Sequence, residues 1–370
     1  MESILEQITD QDNFDAFIQE NMRLSTYVPL WKQEVEDVEY SATKHFSTYT
    51  ASYTAAMVAS MIEKNADKPL TPMDALGKIT GSIARMGDRF QLDNDRLETL
   101  LQMEDRFRRR ETNFTENQHK SEYSKIVAFL FNPYEKAAIA PHKRLDMLYY
   151  EGLSNGTFTV NLANNPQGIQ LPTAIDLGIQ KYGATGAVWN VGNAATMKPI
   201  EDINAAVRAM KAKGRIVTRL RMSQNTFNTL TASNQFNTGV KLTLGSIEVN
   251  PVGLLSVDLA NRYLVGLGLP PISIEEHYVA GRDGAVFNMF KDDRIVMQCA
   301  PQVAKMVISD PLELRLPLPN RVYSSVEDNL ISQYITENGR FCEYEMWGLP
   351  VFSGAENFAI IQTDTLQSAL

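Results

Sequence analysis

Cysteine is nearly missing from this chain. Two residues among 370, Cys299 and Cys342, are too few for a disulfide framework and lack the paired spacing of a zinc site, which points to a reducing compartment. Histidine is scarce too. His45, His119, His142 and His277 are scattered, with no pair one helical turn apart to hold zinc, and each reads as a surface or partly buried polar residue. No run approaches the roughly 18 apolar residues that cross a bilayer. The opening MESILEQITDQDNFDAF lacks the basic and apolar parts of a secretory signal. Positive charge is in deficit, with 35 Lys and Arg against 44 Asp and Glu, a net charge of −9. Such a balance argues against a surface that coats nucleic acid. Internal repeats and low-complexity tracts are also absent. The expectation is a soluble protein that stays in the cell that makes it until lysis.

Motifs of chemistry are equally sparse. Asp93-Asn94-Asp95 begins like a calcium loop but lacks the glycine and the closing glutamate. Gly266-Leu267-Gly268 stands at a helix end before Pro270-Pro271, so it fails the dinucleotide fingerprint. Neither a P-loop nor a nucleophile elbow occurs. Glu275 and Glu276 face opposite sides if extended, which disfavours shared acid/base work. The one basic run, Arg106, Arg108, Arg109 and Arg110, reads as a solvated helix end or as salt bridges to another subunit. No catalytic residue, cofactor or metal site is expected.

What is present is ordinary globular material: 44% hydrophobic and 21% charged residues, enough for two domains or for one domain with extensions. Residues 1 to about 50 form an arm with little core of its own, its apolar positions being Ile4, Leu5, Ile8, Phe14, Phe17 and Ile18. Residues 51–76 are rich in small side chains and broken by Pro69 and Pro72. The stretch GKITGSIARMGDRFQLD then alternates, with Ile79, Ile83, Arg85 and Arg89 on one parity and Met86, Asp88, Phe90 and Leu92 on the other. Alternation predicts a strand or hairpin, and the interior glycines predict a bend or a close backbone approach. Asp93 or Asn94 caps a helix carrying Leu97, Leu100, Leu101 and Phe107. Helix continues over Ser121 to Phe131. Asn132-Pro133 with Glu135 predicts a fresh helix start running to Gly152, kinked at Pro141 and closed by SNGTF.

Residues 156–190 read as strands. From residue 199 a compact α/β region follows. Its first helix opens at Pro199 and stops at Gly214, and RIVTRLRM makes a strand with Ile216, Thr218, Leu220 and Met222 opposed to arginines. Ser223 and Ser256 cap further helices, and AVFNMF-KDD-RIVMQCA predicts a hairpin. Beyond 305, Phe341, Glu343 and Glu345 alternate with Cys342, Tyr344 and Met346, and a last strand spans Phe358 to Gln362. A chain that projects an arm and a thin ribbon ahead of its core needs neighbours to cover them, and identical subunits are the economical source.

This order of elements resembles the major capsid proteins of tailed bacteriophages, in particular the lambda-like capsid family. GSIARMGDRFQLD (Gly81 to Asp93) is similar to their extended loop. SVDLANRYLVGLGLPPISI (Ser256 to Ile274), with the KDDRI turn after it, is similar to their axial helix and strand. GLPVFSGAENFAIIQ (Gly348 to Gln362) is similar to their closing segment. The resemblance spans most of the chain and implies an α+β phage major-capsid fold. Its parts would be an N-terminal arm (1–50), an extended β loop (51–112), a spine helix with the first part of a peripheral domain (113–195), an α/β axial domain (196–305) and the rest of the peripheral domain (306–370).

The implied function is self-assembly, as hexamers and pentamers, into an icosahedral head in the host bacterial cytoplasm. That head, the virion capsid, would enclose double-stranded DNA that the shell contacts weakly and non-specifically. Implied partners are a separate scaffolding protein (the arm being short for a fused one), a portal and decoration proteins, with no membrane. Lys78 lies near the loop, but nothing marks a crosslinking partner. Intersubunit contacts are expected at Ile83, Arg85, Met86, Asp88, Arg89, Phe90, Arg106 and Arg109. Two alternatives stand beside this reading. One is an encapsulin-like nanocompartment shell. The other is an enzyme whose carboxylates meet in a pocket with shifted pKa values.

Overall fold

The structure is a computed structural model that describes residues 8–23, 27–51, 76–92, 94–110, 114–161, 165, 174–244, 255–281, 284–337 and 339–367. Along the chain come α1 (Gln11–Arg23), α2 (Trp31–Glu34), β1 (Val38–Tyr40), β2 (His45–Ala51), β3 (Leu76–Ser82) and β4 (Arg85–Leu92). Then follow α3 (Asn94–Arg110), α4 (Glu116–Asn155), β5 (Thr157–Phe158), β6 (Ile175–Asp176) and β7 (Gln180–Ala184). A third group comprises α5 (Pro199–Ala212), β8 (Arg219–Met222), α6 (Gln224–Ala232), α7 (Asn234–Leu244), α8 (Val257–Gly266) and β9 (Ile272–Ile274). The chain closes with β10 (Tyr278–Ala280), β11 (Val286–Asn288), β12 (Arg294–Gln298), β13 (Lys305–Ser309), α9 (Leu312–Arg315), β14 (Arg321–Val326), β15 (Asn329–Thr336), β16 (Gly339–Val351) and β17 (Phe358–Leu366).

Helix α4 is the backbone of the molecule, 40 residues and about 60 Å long. Thr115 caps it in a reciprocal box with Gln118, and Gly156 ends it at φ 70°, where the turn residues were expected. Asn132-Pro133 does not start a new helix: Pro133 and Pro141 both lie inside α4. Each proline forfeits a backbone hydrogen bond. The buried positions Leu130, Tyr134, Ala137, Ala138, Leu145, Tyr149 and Leu153 continue past both prolines, and their burial outweighs that loss.

Two sheets pack around α4. In the larger, strands run β1-β13-β16-β15-β14, with β4 also paired to β16. The alternation read in β16 holds. Cys342, Tyr344 and Met346 are buried in the apolar clusters with α4, while Glu343, Glu345 and Trp347 remain partly exposed. The second sheet runs β7-β17-β12-β8-β9. Its strands feed two cores from opposite faces. Ile295, Met297, Ala359 and Ile361 join α5, α6, α7 and α8, whereas Val296, Phe358 and Ile360 join α4.

The closing strand β17 pairs with β12 and β7 in the second sheet. Several expectations change here. β11 and β12 do not form a hairpin; β11 pairs β10, and β12 lies between β17 and β8, where its buried residues Arg294–Gln298 are covered on both sides. The strand predicted from RIVTRLRM shortens to Arg219–Met222, and Ile216 is exposed. The arm borrows a core from its own subunit. Phe14 and Ile18 are fully buried, and the Phe14 ring meets Tyr134 edge-on at 5.7 Å. Trp31 is equally buried, and β1 joins β13 in parallel.

Candidate functional site

The expected contact ribbon divides in two. β2 and β3 pair over seven residues, His45↔Ser82 to Ala51↔Leu76, and among the described residues no third strand joins them. At Ile83 and Ala84 the chain changes partner. β4 then leaves the ribbon and pairs with β16 from Trp347↔Arg85 to Arg340↔Leu92. Gly87 permits this approach, because a Cβ there would stand 2.7 Å from the carbonyl oxygen of Tyr344. The reason for the switch is apolar. Ile83, expected to reach a neighbour, is 3% exposed and packs on Val307 and Val351 of its own subunit. Within this chain Ile83 is a core residue.

The other β4 side chains are half-engaged. Met86 sits over Gly348 beside Leu145, and Phe90 stacks on Tyr344 with ring centroids 6.3 Å apart. The Asp88 carboxylate accepts a 2.6 Å hydrogen bond from the Tyr344 hydroxyl. Arg85 and Arg89 point to the other face, both exposed. Arg85 Nη2 donates to Glu345 at 2.5 Å, a solvated pair worth up to about 1 kcal/mol. Arg89 lies over the Phe341 ring, Phe341 stacks on Tyr334, and Arg321 covers Tyr334 from the far side at 4.2 Å. Arg321 also bonds Glu343 and Glu313. The outer face of the large sheet is therefore a ladder of arginines and aromatic rings. Arg106 and Arg109 lie apart from it, exposed on α3, and Arg109 faces Asp105 at 3.7 Å.

A second constellation escaped the sequence reading. Arg221 on β8 is fully buried. Its Nε donates to Glu275 at 2.8 Å, and Nη1 and Nη2 donate to the two oxygens of Glu34 at 2.7 and 3.1 Å. Tyr149 of α4 adds its hydroxyl to Glu34, and His277 contacts Glu275 at 3.0 Å. Burial works against the charged Glu275 carboxyl, yet hydrogen bonds from His277 and Arg221 hold its pKa below the usual value. Glu276 is exposed on the opposite side, as its position predicted. The signal overlooked was an arginine in a strand covered on both faces, where alternation no longer means exposure. Carboxylates from distant segments do meet here, but both are engaged by one guanidinium.

The arm is fixed at a third point. The Trp31 amide and the Tyr27 hydroxyl donate to Asp146, and Trp31 Nε1 donates to His142 Nδ1 at 3.4 Å with the rings stacked. Burial pushes the His142 pKa down to about 4 and pushes Asp146 up. Nearby, the β14–β15 turn holds Glu327 and Asp328 at φ 52° and 67°, a left-handed pair that normally favours Gly or Asn. Lys32 pairs with Glu327 and Tyr40 donates to Asp328, so the arm clasps this strained turn. Among the described residues no group of His, Cys, Asp and Glu could hold a metal, and no helix is long and apolar enough to cross a membrane.

No protein-family profile matches the sequence, and no curated protein matches it. Solved structures do. A protein described as the capsid protein of an E. coli CFT073 prophage covers 95% of this chain and 98% of its own, with 13% identity and a TM-score of 0.54. The capsid of Myoviridae phage XM1 covers 90% and 91% with 9% identity and a TM-score of 0.45. A virus-like particle from Pyrococcus furiosus covers 95% and 98% with 10% identity and a TM-score of 0.36. The first of these shows a shared fold along nearly the whole chain.

Proposed function

We propose that this chain, which has the α+β fold of a phage capsid protein, is the structural subunit of a phage head. It self-assembles as hexamers and pentamers into an icosahedral shell around double-stranded DNA. The observation that carries this reading is the fold shared with the prophage capsid protein over 95% of the chain. The two-stranded ribbon β2–β3, which pairs with no other strand among the described residues, supports it, because an isolated pair of strands is marginal in water.

Arg85 and Arg89 on the outer face of β4 meet acidic groups of neighbouring subunits, with Arg106 and Arg109 as further contacts. Met86, Asp88 and Phe90 set the position of β4. The net charge of −9 suits a shell that lets packaged DNA move. A scaffolding protein, a portal and decoration proteins act on the same shell, which assembles in the host cytoplasm and becomes the virion capsid. The role is structural rather than catalytic. The test is electron microscopy of the purified protein beside Arg85→Glu/Arg89→Glu. Wild type forms closed shells or hexameric capsomers, and the variant stays folded but assembles poorly. A small dispersed oligomer from wild type would overturn the reading.

A further inference from the structure

Between β13 and β14 the sequence DPLELRLPLPN inverts the usual rule of burial. Leu312, Leu314, Leu316 and Leu318 are 63, 48, 66 and 44% exposed. Of the polar side chains of the segment, Glu313 is half-buried while Arg315 and Asp310 are exposed and pair with each other. Glu313 accepts from the Tyr323 hydroxyl at 3.0 Å and from Arg321 at 3.4 Å, and Arg315 reaches Asp310 at 3.4 Å. The backbone is tied as well, Leu316 N to Leu312 O and Leu318 N to the Tyr323 hydroxyl, both at 3.0 Å. Pro311, Pro317 and Pro319 stiffen what remains. Leucines scattered singly over a surface need no explanation, whereas four held outward on one pinned connection form a patch.

We infer that this leucine patch is a contact surface for a second copy of the chain. Covering the four side chains removes on the order of 400 Å² of mostly apolar surface, about half of the roughly 800 Å² per partner that a free-standing interface needs. A separate protein would have to find as much area again elsewhere. A neighbouring subunit is already held in place by the rest of the shell, so a small apolar patch suffices for it. The patch also continues the proposed interface. Lys44, next to the start of β2, bonds the Asp310 carbonyl and lies over the Trp347 ring. The inference thus rests on the shell reading and names a surface that it uses.

The test compares the full chain with Leu314→Glu/Leu316→Glu, measuring the melting temperature of unassembled subunits and the protein concentration at which assemblies appear. The expected result is a melting temperature within about 2 °C of wild type, with the assembly concentration raised at least about tenfold. Unchanged assembly and unchanged melting would give the leucines to another partner and overturn the inference while the shell reading stands. A melting temperature lowered by more than about 5 °C would mean that the leucines serve the subunit's own fold, and would overturn the inference. Wild type that never assembles would overturn both.

Discussion

Arg221 gathers the arm, α4 and the second sheet at a single guanidinium. Replacing a buried ion pair entirely is often harmless, but removing one partner strands the other charge. Arg221→Met therefore leaves Glu34 and Glu275 without their cation. It lowers urea-derived stability by about 3–5 kcal/mol, while Glu276→Gln, on the exposed side, changes it by under about 0.5 kcal/mol. His142 makes a different prediction. Its folded pKa of about 4 lies below the ordinary histidine value of 6.5, so the unfolded chain binds more protons between these pH values. Stability from this group is present above pH 6.5 and is lost as pH falls toward 4, by about 3 kcal/mol in full. Asp146, with its raised pKa, works in the opposite sense, so the readout is the difference between wild type and His142→Gln across that window. Equal slopes for the two proteins would remove His142 from the pH dependence.

Elements announced by local chemistry were legible in the sequence. The caps Ser223 and Ser256, the stops at Gly214 and Gly156, and the alternation of β16 all express short-range rules. Strand partners were not, because period-two alternation names a face and leaves the neighbour open. Hence the ribbon looked like one hairpin, although β4 sits about 250 residues from its partner β16. The candidate site suffered similarly: Ile83 alternates like a contact residue, and only the position of Val307 and Val351 shows that it is core. Gly156 illustrates how firmly a local signal can be fixed. A Cβ there would adopt φ 70° and stand 3.0 Å from Lys181 and 3.2 Å from Ile360. Gly156→Ala should cost about 1–2 kcal/mol in urea unfolding, and a neutral result would contradict the left-handed end of α4.

At the scale of the molecule, the two sheets are not independent modules, since β12 and β17 supply apolar side chains to cores on both of their faces. The chain should melt in one calorimetric transition whose van't Hoff and calorimetric enthalpies agree, and two resolved transitions would refute the shared sheet. The pairings themselves have a consequence for synthesis. β1 waits for β13, β4 for β16 and β7 for β17, the last of these nearly at the end of the chain. At translation speeds of about 5–20 residues per second, β4 is without its partner for roughly 12–50 s. A ribosome that stops early therefore releases a chain in which β2 and β3 can pair with each other while β1, β4 and β7 lack the strands that complete their sheets.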